Sequence, residues 1–202
     1  MVEYIDVCDE KGNQLGYSLP RAEIHQKGLY HRVVHVWIVD SNGMVLIQKR
    51  TASKDSYPSM WDKSCAGHIE AGMGSKETAV KELSEELGLL FSENRLELLF
   101  STLQCNILNE GKFIDNEISD VYLITLGKPF DLQKLKLQVE EVSEAKLVNH
   151  QNLYEMIKNQ DPTFTPLYDS HKYPNFNDAP YFKFFQILTE RFPISDKITV
   201  NS

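Results

Sequence analysis

The sequence of 202 residues has few cysteines, no long hydrophobic run and no excess of positive charge. Its three cysteines, Cys8, Cys65 and Cys105, are odd in number and widely spaced, and none forms a C-x-x-C pair. This spacing argues against a disulfide framework and against a cysteine zinc site, and it is typical of reduced thiols in the cytoplasm. No segment approaches the ~20 apolar residues of a membrane span. The first residues carry acids and no apolar core, so we expect no secretory signal.

The balance of charge is negative, with 21 basic against 29 acidic residues and a net charge of −8. Because a nucleic-acid-binding face is basic, this balance argues against a nucleic-acid polymer as partner. It leaves open a small anionic substrate held through a divalent cation. Hydrophobic residues make up 42% and charged residues 25%, which is ordinary for globular proteins. We expect one domain over residues 1–192 and a flexible tail over 193–202.

Strand and helix signals follow each other irregularly along the chain. Two hairpins are predicted, one over residues 2–19 and one over 33–50 around an Asn-Gly turn. The further predicted strands are 61–66, 95–108, 113–126 and 143–149, and the predicted helices are 75–88, 149–159 and 179–191. Without a regular alternation of strand and helix, this order predicts an α/β (α+β) fold, with a mixed sheet covered by helices on both faces.

The helix predicted at 75–88 carries three acids on one face. At about 100° per residue, Glu82, Glu85 and Glu86 fall in one sector, and Leu83 and Leu87 lie on the opposite side. Like charges at this spacing repel each other, and a hard cation between them would reverse the repulsion. Mg²⁺ suits this position because it prefers oxygen ligands and shares them with substrate phosphates. The alternative interpretation is an acidic face in contact with water.

The segment 67–89, GHIEAGMGSKETAVKELSEELGL, resembles the Nudix box, G-x5-E-x7-R-E-U-x-E-E-x-G-U, where U is an aliphatic residue. Seven of the nine defined positions match, and the spacing has no insertion. Met73 replaces the first Glu of the pattern, and Lys81 replaces its Arg. In the family these two residues brace the loop against the helix, and the later acids bind metal. The resemblance implies a Nudix-type α/β/α sandwich, a Mg²⁺ or Mn²⁺ site and a brace from elsewhere, such as Glu70 or Glu77.

Residues 3–150 resemble the Nudix branch that is similar to type I isopentenyl-diphosphate isomerase, through EIHQKGLYHRVVHVWIV and SKDSYPSMWDKSCAGH. In that branch a metal site is built from three histidines and two later acids. The matching residues here are His25, His31, His68, Asp115 and Glu117. Imidazole and carboxylate together suit Zn²⁺, Mn²⁺ or Mg²⁺. The alternative for each histidine is a surface position or a hydrogen-bonded core position.

Basic and aromatic residues are the candidates for substrate binding. Arg21, Arg50 and Lys54 match positions that the isomerases use around the diphosphate, and Arg offers phosphate a bidentate geometry. The alternative for these three is ordinary surface charge. The organic group needs a recess, and the candidates for its lining are Trp37, Tyr57 and Trp61. Aromatic residues at such positions are also common in protein cores.

Two features favour hydrolysis over isomerisation. The isomerases need a cysteine immediately before the box glycine, where this chain has Ala66; Cys65, one residue earlier, points to the other face of a strand. The isomerases also keep chiefly the acid that matches Glu86, whereas this chain retains Glu82 and Glu85 as well. We therefore expect a Mg²⁺- or Mn²⁺-dependent hydrolase that cleaves the diphosphate linkage of an organic diphosphate of nucleoside, coenzyme or prenyl type.

Several choices stay open within this interpretation. The general base is one of Glu85, Glu86 and Glu117. One alternative function is a type I isomerase that uses Cys65 after a local rearrangement, and another is a non-catalytic Nudix module that binds a metabolite. His35 has no counterpart in the isomerase metal site, so we expect it to be structural. The sequence does not indicate the oligomeric state.

Overall fold

Residues 2–193 are described by a computed structural model, in which they form nine strands and four α-helices. The strands are β1 (Tyr4–Cys8), β2 (Gln14–Pro20), β3 (Tyr30–Val39), β4 (Met44–Arg50), β5 (Trp61–Asp62), β6 (Cys65–His68), β7 (Glu97–Leu108), β8 (Phe113–Thr125) and β9 (Val142–Asn149). The helices are α1 (Arg21–Lys27), α2 (Ser75–Leu87), α3 (His150–Lys158) and α4 (Phe182–Arg191). None of these helices is both long and apolar enough to cross a membrane. The tail predicted at 193–202 lies almost entirely outside the described residues.

Strand β3 is the centre of a mixed sheet. It runs parallel to β8 from Tyr30, opposite Asn116, to Val39, opposite Thr125. It also pairs antiparallel with β1, β4 and β6. Strand β7 continues the sheet beyond β8, and β5 and β9 both pair with β4. A parallel pair needs a long connection between its strands, and the connection from β3 to β8 contains α2.

Helix α2 covers one face of the sheet. Because side chains alternate in direction along a strand, Val34 and Val36 of β3 share one face. They belong to one buried cluster with Leu83 and Leu87 of α2, as the apolar side of the predicted helix requires. The opposite side of α2 is thereby left for the box glutamates.

Helices α3 and α4 cover the other face. Trp37 of β3 is fully buried there and stacks on Phe184 of α4, with ring centroids 4.6 Å apart. Leu153 of α3 and Leu188 of α4 belong to the same buried cluster. The predicted mixed sheet with helices on both faces is therefore confirmed.

The turn between β3 and β4 is held by Asp40. Its Oδ1 accepts the backbone N–H groups of Asn42 at 2.8 Å and Met44 at 3.0 Å, and its Oδ2 accepts that of Phe130 at 3.0 Å. Gly43 has a φ of 72°, in the left-handed region that glycine adopts without steric cost. The hairpin predicted from the Asn-Gly turn is confirmed.

The single strand predicted over 61–66 is wrong, because this segment is divided into β5 and β6. Ser64 lies between the two strands. Its Oγ accepts the N–H of Ile38 at 2.8 Å and donates to the carbonyl of Leu46 at 2.5 Å. The hydroxyl thus makes hydrogen bonds to β3 and β4 that a continuous strand would make through its backbone.

Candidate active site

A cavity of about 580 Å³ lies between β3, β6, β8, α2 and the loop after β4. Most of the residues that the sequence predicts for the site belong to its wall. The predicted residues in this wall are Arg21, Arg50, Lys54, His68, Glu82, Glu85, Glu86 and Glu117. The remaining predicted ligands, His25, His31 and Asp115, are buried next to His68.

Lys81 braces the box loop against α2. Its Nζ donates to Glu70 Oε1 at 2.8 Å and lies 3.2 Å from Glu85 Oε2. Met73, at the position where the box pattern has a glutamate, packs instead against the apolar cluster under α2. Lys81 and Glu70 therefore form the brace that the family pattern builds from arginine and glutamate, and Glu70 is one of the two residues predicted for it.

The first glycine of the box is required by the close approach of Glu82. A Cβ atom at Gly67 would lie 2.6 Å from the Cδ and Cγ atoms of Glu82. Any larger residue would therefore push the glutamate side chain out of the position that it holds in the cavity wall.

Burial changes the acidity of two box glutamates. Burial, and then the charge of Glu86, raise the pKa of Glu82 to about 7. Burial also raises the pKa of Glu86, against the effect of two hydrogen bonds that its Oε2 accepts, from Gln48 Nε2 at 3.0 Å and from Cys65 Sγ at 3.3 Å. A cation near these carboxylates would favour their charged forms.

The three box glutamates share the cavity but do not meet at one point. The side chain of Glu85 is 51% exposed and pairs with Lys81, whereas Glu86 is buried and directed towards Gln48. Within residues 2–193, two groups of possible ligand atoms lie within 4.8 Å of one another, and neither contains a box glutamate. Coordination of one ion by all three acids therefore requires Glu85 to leave Lys81.

His25 and His31 are oriented by backbone carbonyls. Nδ1 of His25 is 2.8 Å from the carbonyl oxygen of Arg21, and Nδ1 of His31 is 3.0 Å from that of Leu29. A carbonyl oxygen can only accept, so Nδ1 donates in both rings and Nε2 of the neutral imidazole keeps its lone pair. Burial lowers the pKa of His31 to about 3, so this ring is neutral at physiological pH.

The two lone pairs converge on Asp115. Nε2 of His25 lies 3.2 Å and Nε2 of His31 lies 3.8 Å from Asp115 Oδ1. These three atoms are buried, and none has a hydrogen-bond partner among residues 2–193. The ligand atoms of His25, His31 and His68 lie within 4.8 Å of one another, as do those of His31, Asp115 and Glu117. The structure thus brings the five predicted residues together.

The arrangement of this histidine–acid set fits a divalent cation. Imidazole nitrogens and carboxylate oxygens that converge on one point are suitable ligands for a divalent cation, which would give each of them a partner. Nδ1 of His68 lies 3.3 Å from Glu3 Oε1. A carboxylate that contacts the second ring nitrogen in this way commonly orients a metal-binding histidine. Burial, and the charge of Asp115, raise the pKa of Glu117 well above its usual range. A bound cation would favour the charged form of Glu117 and so lower its pKa again.

Arg50 is fixed at the cavity wall and keeps free donors. Its Nε and Nη2 donate to the carbonyl and the hydroxyl of Ser56, both at 3.0 Å, and its Nη1 donates to Asp62 Oδ2 at 3.2 Å. A guanidinium group has five N–H bonds, so two remain for a ligand.

The two other basic candidates also pair with acids. Arg21 Nη1 lies 3.2 Å from Asp55 Oδ2, and Lys54 contacts Glu141. Both pairs lie at the cavity wall, where a diphosphate would compete with the carboxylates for the same cations.

The prediction that Trp61 lines the substrate recess is wrong. Its neighbour Asp62 lies in the cavity wall, and alternation along β5 directs Trp61 to the opposite side. There its ring packs against the cluster under α3 and α4, with Lys146 Nζ 3.8 Å from the ring centroid. Trp37 is a core residue as well, and of the three candidate aromatics Tyr57 lines the cavity.

Ala66 and Cys65 point to opposite sides of β6, as the strand periodicity predicts. Ala66 lines the cavity, whereas Cys65 is fully buried in the cluster under α2. Burial, and then the charge of Glu86, raise the pKa of the Cys65 thiol well above its usual range. The position before the box glycine therefore presents no thiol to the cavity.

Among the polar residues of the cavity wall that the prediction did not include, four are buried: His35, Asp62, Lys63 and Thr165. Asp62 and Lys63 lie shortly before the box, and the sequence signal for them is a pair of charges inside a predicted strand. His35 was expected to be structural, and it carries no signal beyond being a polar residue in an apolar run.

Comparison with known proteins gives the family. Residues 29–168 match the family model described as the NUDIX domain. The chain belongs to the NUDIX family. This NUDIX chain is 42% identical over 190 residues to Nudix hydrolase 3 of Arabidopsis thaliana. The matched region covers 94% of this chain but 24% of that relative. The chain thus spans about a quarter of the relative's length.

Isomerase-named relatives and solved structures agree with this family. The NUDIX chain is 32% identical over 165 residues to Isopentenyl-diphosphate Delta-isomerase 2 of Photorhabdus laumondii, covering 82% of the chain and 88% of that protein. The crystal structure of DR0079 from Deinococcus radiodurans matches with a TM-score of 0.59 at 20% identity, over 77% of this chain and 88% of that one. The structural match concerns the fold alone. The predicted superfamily and its isomerase-like relatives are confirmed.

Proposed function

We propose that this NUDIX protein is a Mg²⁺- or Mn²⁺-dependent hydrolase that cleaves the diphosphate linkage of an organic diphosphate. The observation that carries the proposal is that one cavity combines the box carboxylates with several basic side chains. A diphosphate requires this combination, because cations neutralise its oxygens and carboxylates hold the metal. The hydrolase name of the Arabidopsis relative supports the proposal. The free thiols support the predicted cytoplasmic location.

The basic residues would bind and orient the diphosphate. Arg50 has two free N–H donors on a guanidinium group that Ser56 and Asp62 hold in place. Lys54 and Arg21 would exchange their present acidic partners for phosphate oxygens, which are stronger acceptors.

The box glutamates Glu82, Glu85 and Glu86 would hold one divalent ion, and the histidine–acid set would hold a second. When bound, such an ion neutralises phosphate charge and lowers the pKa of a coordinated water molecule. Glu86 is proposed as the general base that accepts the proton of the attacking water. Gln48 and Cys65 fix its Oε2, which holds this carboxylate in the cavity wall beside the other box glutamates.

Product analysis tests the proposal, because cleavage of a diphosphate linkage gives two phosphomonoesters, or one phosphomonoester and inorganic phosphate when the diphosphate is terminal. The purified chain would be incubated with Mg²⁺ or Mn²⁺ and a panel of nucleoside diphosphates, dinucleotides, sugar nucleotides and prenyl diphosphates. We expect turnover of at least one class, and a loss of about 100-fold or more in kcat for Glu85→Gln and Glu86→Gln. Glu93→Gln, an exposed acid beyond α2, is the matched control. Unchanged turnover in both box variants would refute the metal assignment, and tight binding without product would favour a non-catalytic module.

A second candidate function is isopentenyl-diphosphate isomerisation, because the five residues that match the isomerase metal site do converge. Ala66 in the cavity wall and the burial of Cys65 oppose it. Incubation with isopentenyl diphosphate in deuterated water separates the two functions. Deuterium in dimethylallyl diphosphate would establish isomerisation, whereas release of phosphate or pyrophosphate would establish hydrolysis.

A further inference from the structure

The inner wall of the cavity contains a polar cluster formed by His35, Asp62, Lys63 and Thr165. All four residues are at least nine-tenths buried, with relative exposures between 2% and 8%. Burying a charged group lowers the stability of the fold unless the group is fully hydrogen-bonded. Hydrogen-bond donors without an acceptor in such a cluster therefore indicate a ligand-binding site.

Asp62 organises this polar cluster. Its Oδ1 accepts the hydroxyl hydrogen of Thr165 at 2.7 Å and the backbone N–H of Lys63 at 2.8 Å, and it lies 3.0 Å from Lys63 Nζ. Its Oδ2 accepts from Arg50 at 3.2 Å. The charges of Lys63 and Arg50 hold the pKa of this carboxyl far below its usual range, against the effect of burial, so Asp62 stays ionised. It therefore holds the surrounding donors in fixed positions.

Lys63 keeps unused donors that face the cavity. Its ammonium group has three N–H bonds, and Asp62 is its one acidic partner among residues 2–193. Its side chain is 10% exposed, and Lys63 belongs to the cavity wall. Two N–H donors are therefore available to a ligand.

His35 presents a neutral imidazole edge to the same space. Its Nδ1 lies 2.5 Å from the hydroxyl of Tyr181, directly before α4, and its Nε2 forms no hydrogen bond within residues 2–193. Burial, and then the charge of Lys63, lower its pKa well below the usual range. On β3 it lies opposite Ala66 of β6, which places it beside the box loop.

Apolar surface is sparse in the cavity. The apolar side chains in its wall are those of Val2, Val33, Ala66, Phe113 and Pro166, and charged or polar residues separate them. A hydrocarbon tail placed here would leave two N–H donors of Lys63 and Nε2 of His35 without a hydrogen-bond partner, which disfavours its binding.

We propose that the polar cluster His35–Asp62–Lys63–Thr165 is the subsite for the organic group, and that this group carries hydroxyls or similar hydrogen-bonding atoms, as a sugar does. This inference rests on the proposed function, since it identifies the substrate class of the same cavity. It selects sugar-bearing diphosphates over prenyl diphosphates. Lys63 donates to the sugar, His35 donates or accepts through Nε2, and Tyr181 acts as a positioning residue for His35.

Substrate comparison with matched variants tests the subsite. The purified chain with Mg²⁺ would be assayed on UDP-glucose, isopentenyl diphosphate and methyl diphosphate, which has almost no organic group. We expect kcat/KM for UDP-glucose to exceed that for isopentenyl diphosphate by about 10-fold or more. Lys63→Met and His35→Leu should lower the ratio of kcat/KM for UDP-glucose over methyl diphosphate by about 10- to 100-fold. Lys76→Met, an exposed lysine on α2, should leave this ratio unchanged.

The outcomes separate this inference from the proposed function. Absence of cleavage of these three compounds and of the whole panel above would refute the hydrolase proposal, whereas cleavage of another class of the panel but of none of these three would refute the polar subsite alone. Faster cleavage of isopentenyl diphosphate, or equal losses on UDP-glucose and methyl diphosphate, would refute the polar subsite while leaving the hydrolase proposal intact.

If Lys63→Met or His35→Leu fails to fold, Thr165→Val removes one hydroxyl at constant shape, and thermal stabilisation by UDP-glucose is the second readout. Unchanged stabilisation in that variant would also count against the subsite.

Discussion

Several acidic residues of the site are buried where their ionised form is unfavourable. Burial raises the pKa of Glu82, Glu86 and Glu117, three acids that the cavity brings close to other acids. Such groups lower the stability of the folded protein at neutral pH, because an unfolded chain ionises them at no cost. A bound cation would offset that loss, so stability and function are opposed at these positions.

Glu82→Gln tests this opposition. With a folded pKa of about 7 and an ordinary pKa of 4.5, Glu82 keeps a proton in the folded state that the unfolded state has released. Stability is therefore lost as the pH rises from 4.5 to about 7, and it stays reduced above that. At pH 8 without divalent cation, the variant should have a free energy of unfolding about 1–3 kcal/mol higher than the parent chain. It should also gain less stability from added Mn²⁺.

Urea unfolding at pH 5 and pH 8 measures this effect, with Glu93→Gln as the control. The gain should shrink towards pH 5, where the parent Glu82 is already protonated. A variant that is less stable than the parent at pH 8 would show that Glu82 is not under electrostatic stress.

The thiol of Cys65 should be dispensable for hydrolysis. It is buried and donates to Glu86 Oε2, and a serine hydroxyl can make the same hydrogen bond. Cys65→Ser should retain kcat within about 3-fold and lose about 1–2 kcal/mol of stability, because a more polar group is buried. Steady-state kinetics on the best diphosphate substrate gives the answer. A loss of 100-fold or more with a folded protein would show that the sulfur takes part in the chemistry.

At the scale of elements, helix α2 is attached to the sheet through Asp120 of β8. Its Oδ2 accepts from Ser75 Oγ at 2.6 Å and pairs with Arg32 of β3 at 2.5 Å. Its Oδ1 accepts from Ser101 of β7 at 2.7 Å. Ser75 is the first residue of α2, and Gly74 is its N-cap. One buried carboxylate thus sets where the box helix begins.

Asp120→Ala should move the start of α2 as well as destabilise the fold. We expect a loss of about 2–4 kcal/mol in the free energy of unfolding, because Arg32 and Ser75 lose a charged partner. Hydrolysis should fall several-fold, since the box glutamates follow the helix. Ser101→Ala removes a hydrogen bond on the sheet side alone, and it should cost about 1 kcal/mol with no change in kcat. Equal activity of the two variants would disprove the positioning role of Asp120.

At the scale of the whole molecule, local signals predicted the elements well. The turn at Gly43, the amphipathic pattern of α2 and the alternation that separates Cys65 from Ala66 depend on neighbouring residues alone. The resemblance to the box then predicted the glutamates, and the resemblance of residues 3–150 to the isomerase-like branch predicted the histidine–acid set, whose members lie together.

Long-range placement could not be predicted in the same way. The parallel pairing of β3 with β8 joins residues more than 80 positions apart, so no local pattern specifies which residue lies opposite His31. The interruption between β5 and β6 depends on Ser64 bonding to two distant strands. Which face of the sheet lines the cavity follows from such long-range contacts, so the sequence could not predict that Trp61 points away from the cavity.

The central claim is that the box glutamates bind a divalent cation and do not merely form an acidic surface. Anomalous diffraction from crystals soaked in Mn²⁺ at pH 8 tests it most directly. We predict a manganese peak within coordination distance of Glu82 and Glu86, with Glu85 released from Lys81, and a second peak among His25, His31 and Asp115. Crystals that show no manganese beside the box glutamates at millimolar concentration would contradict the account.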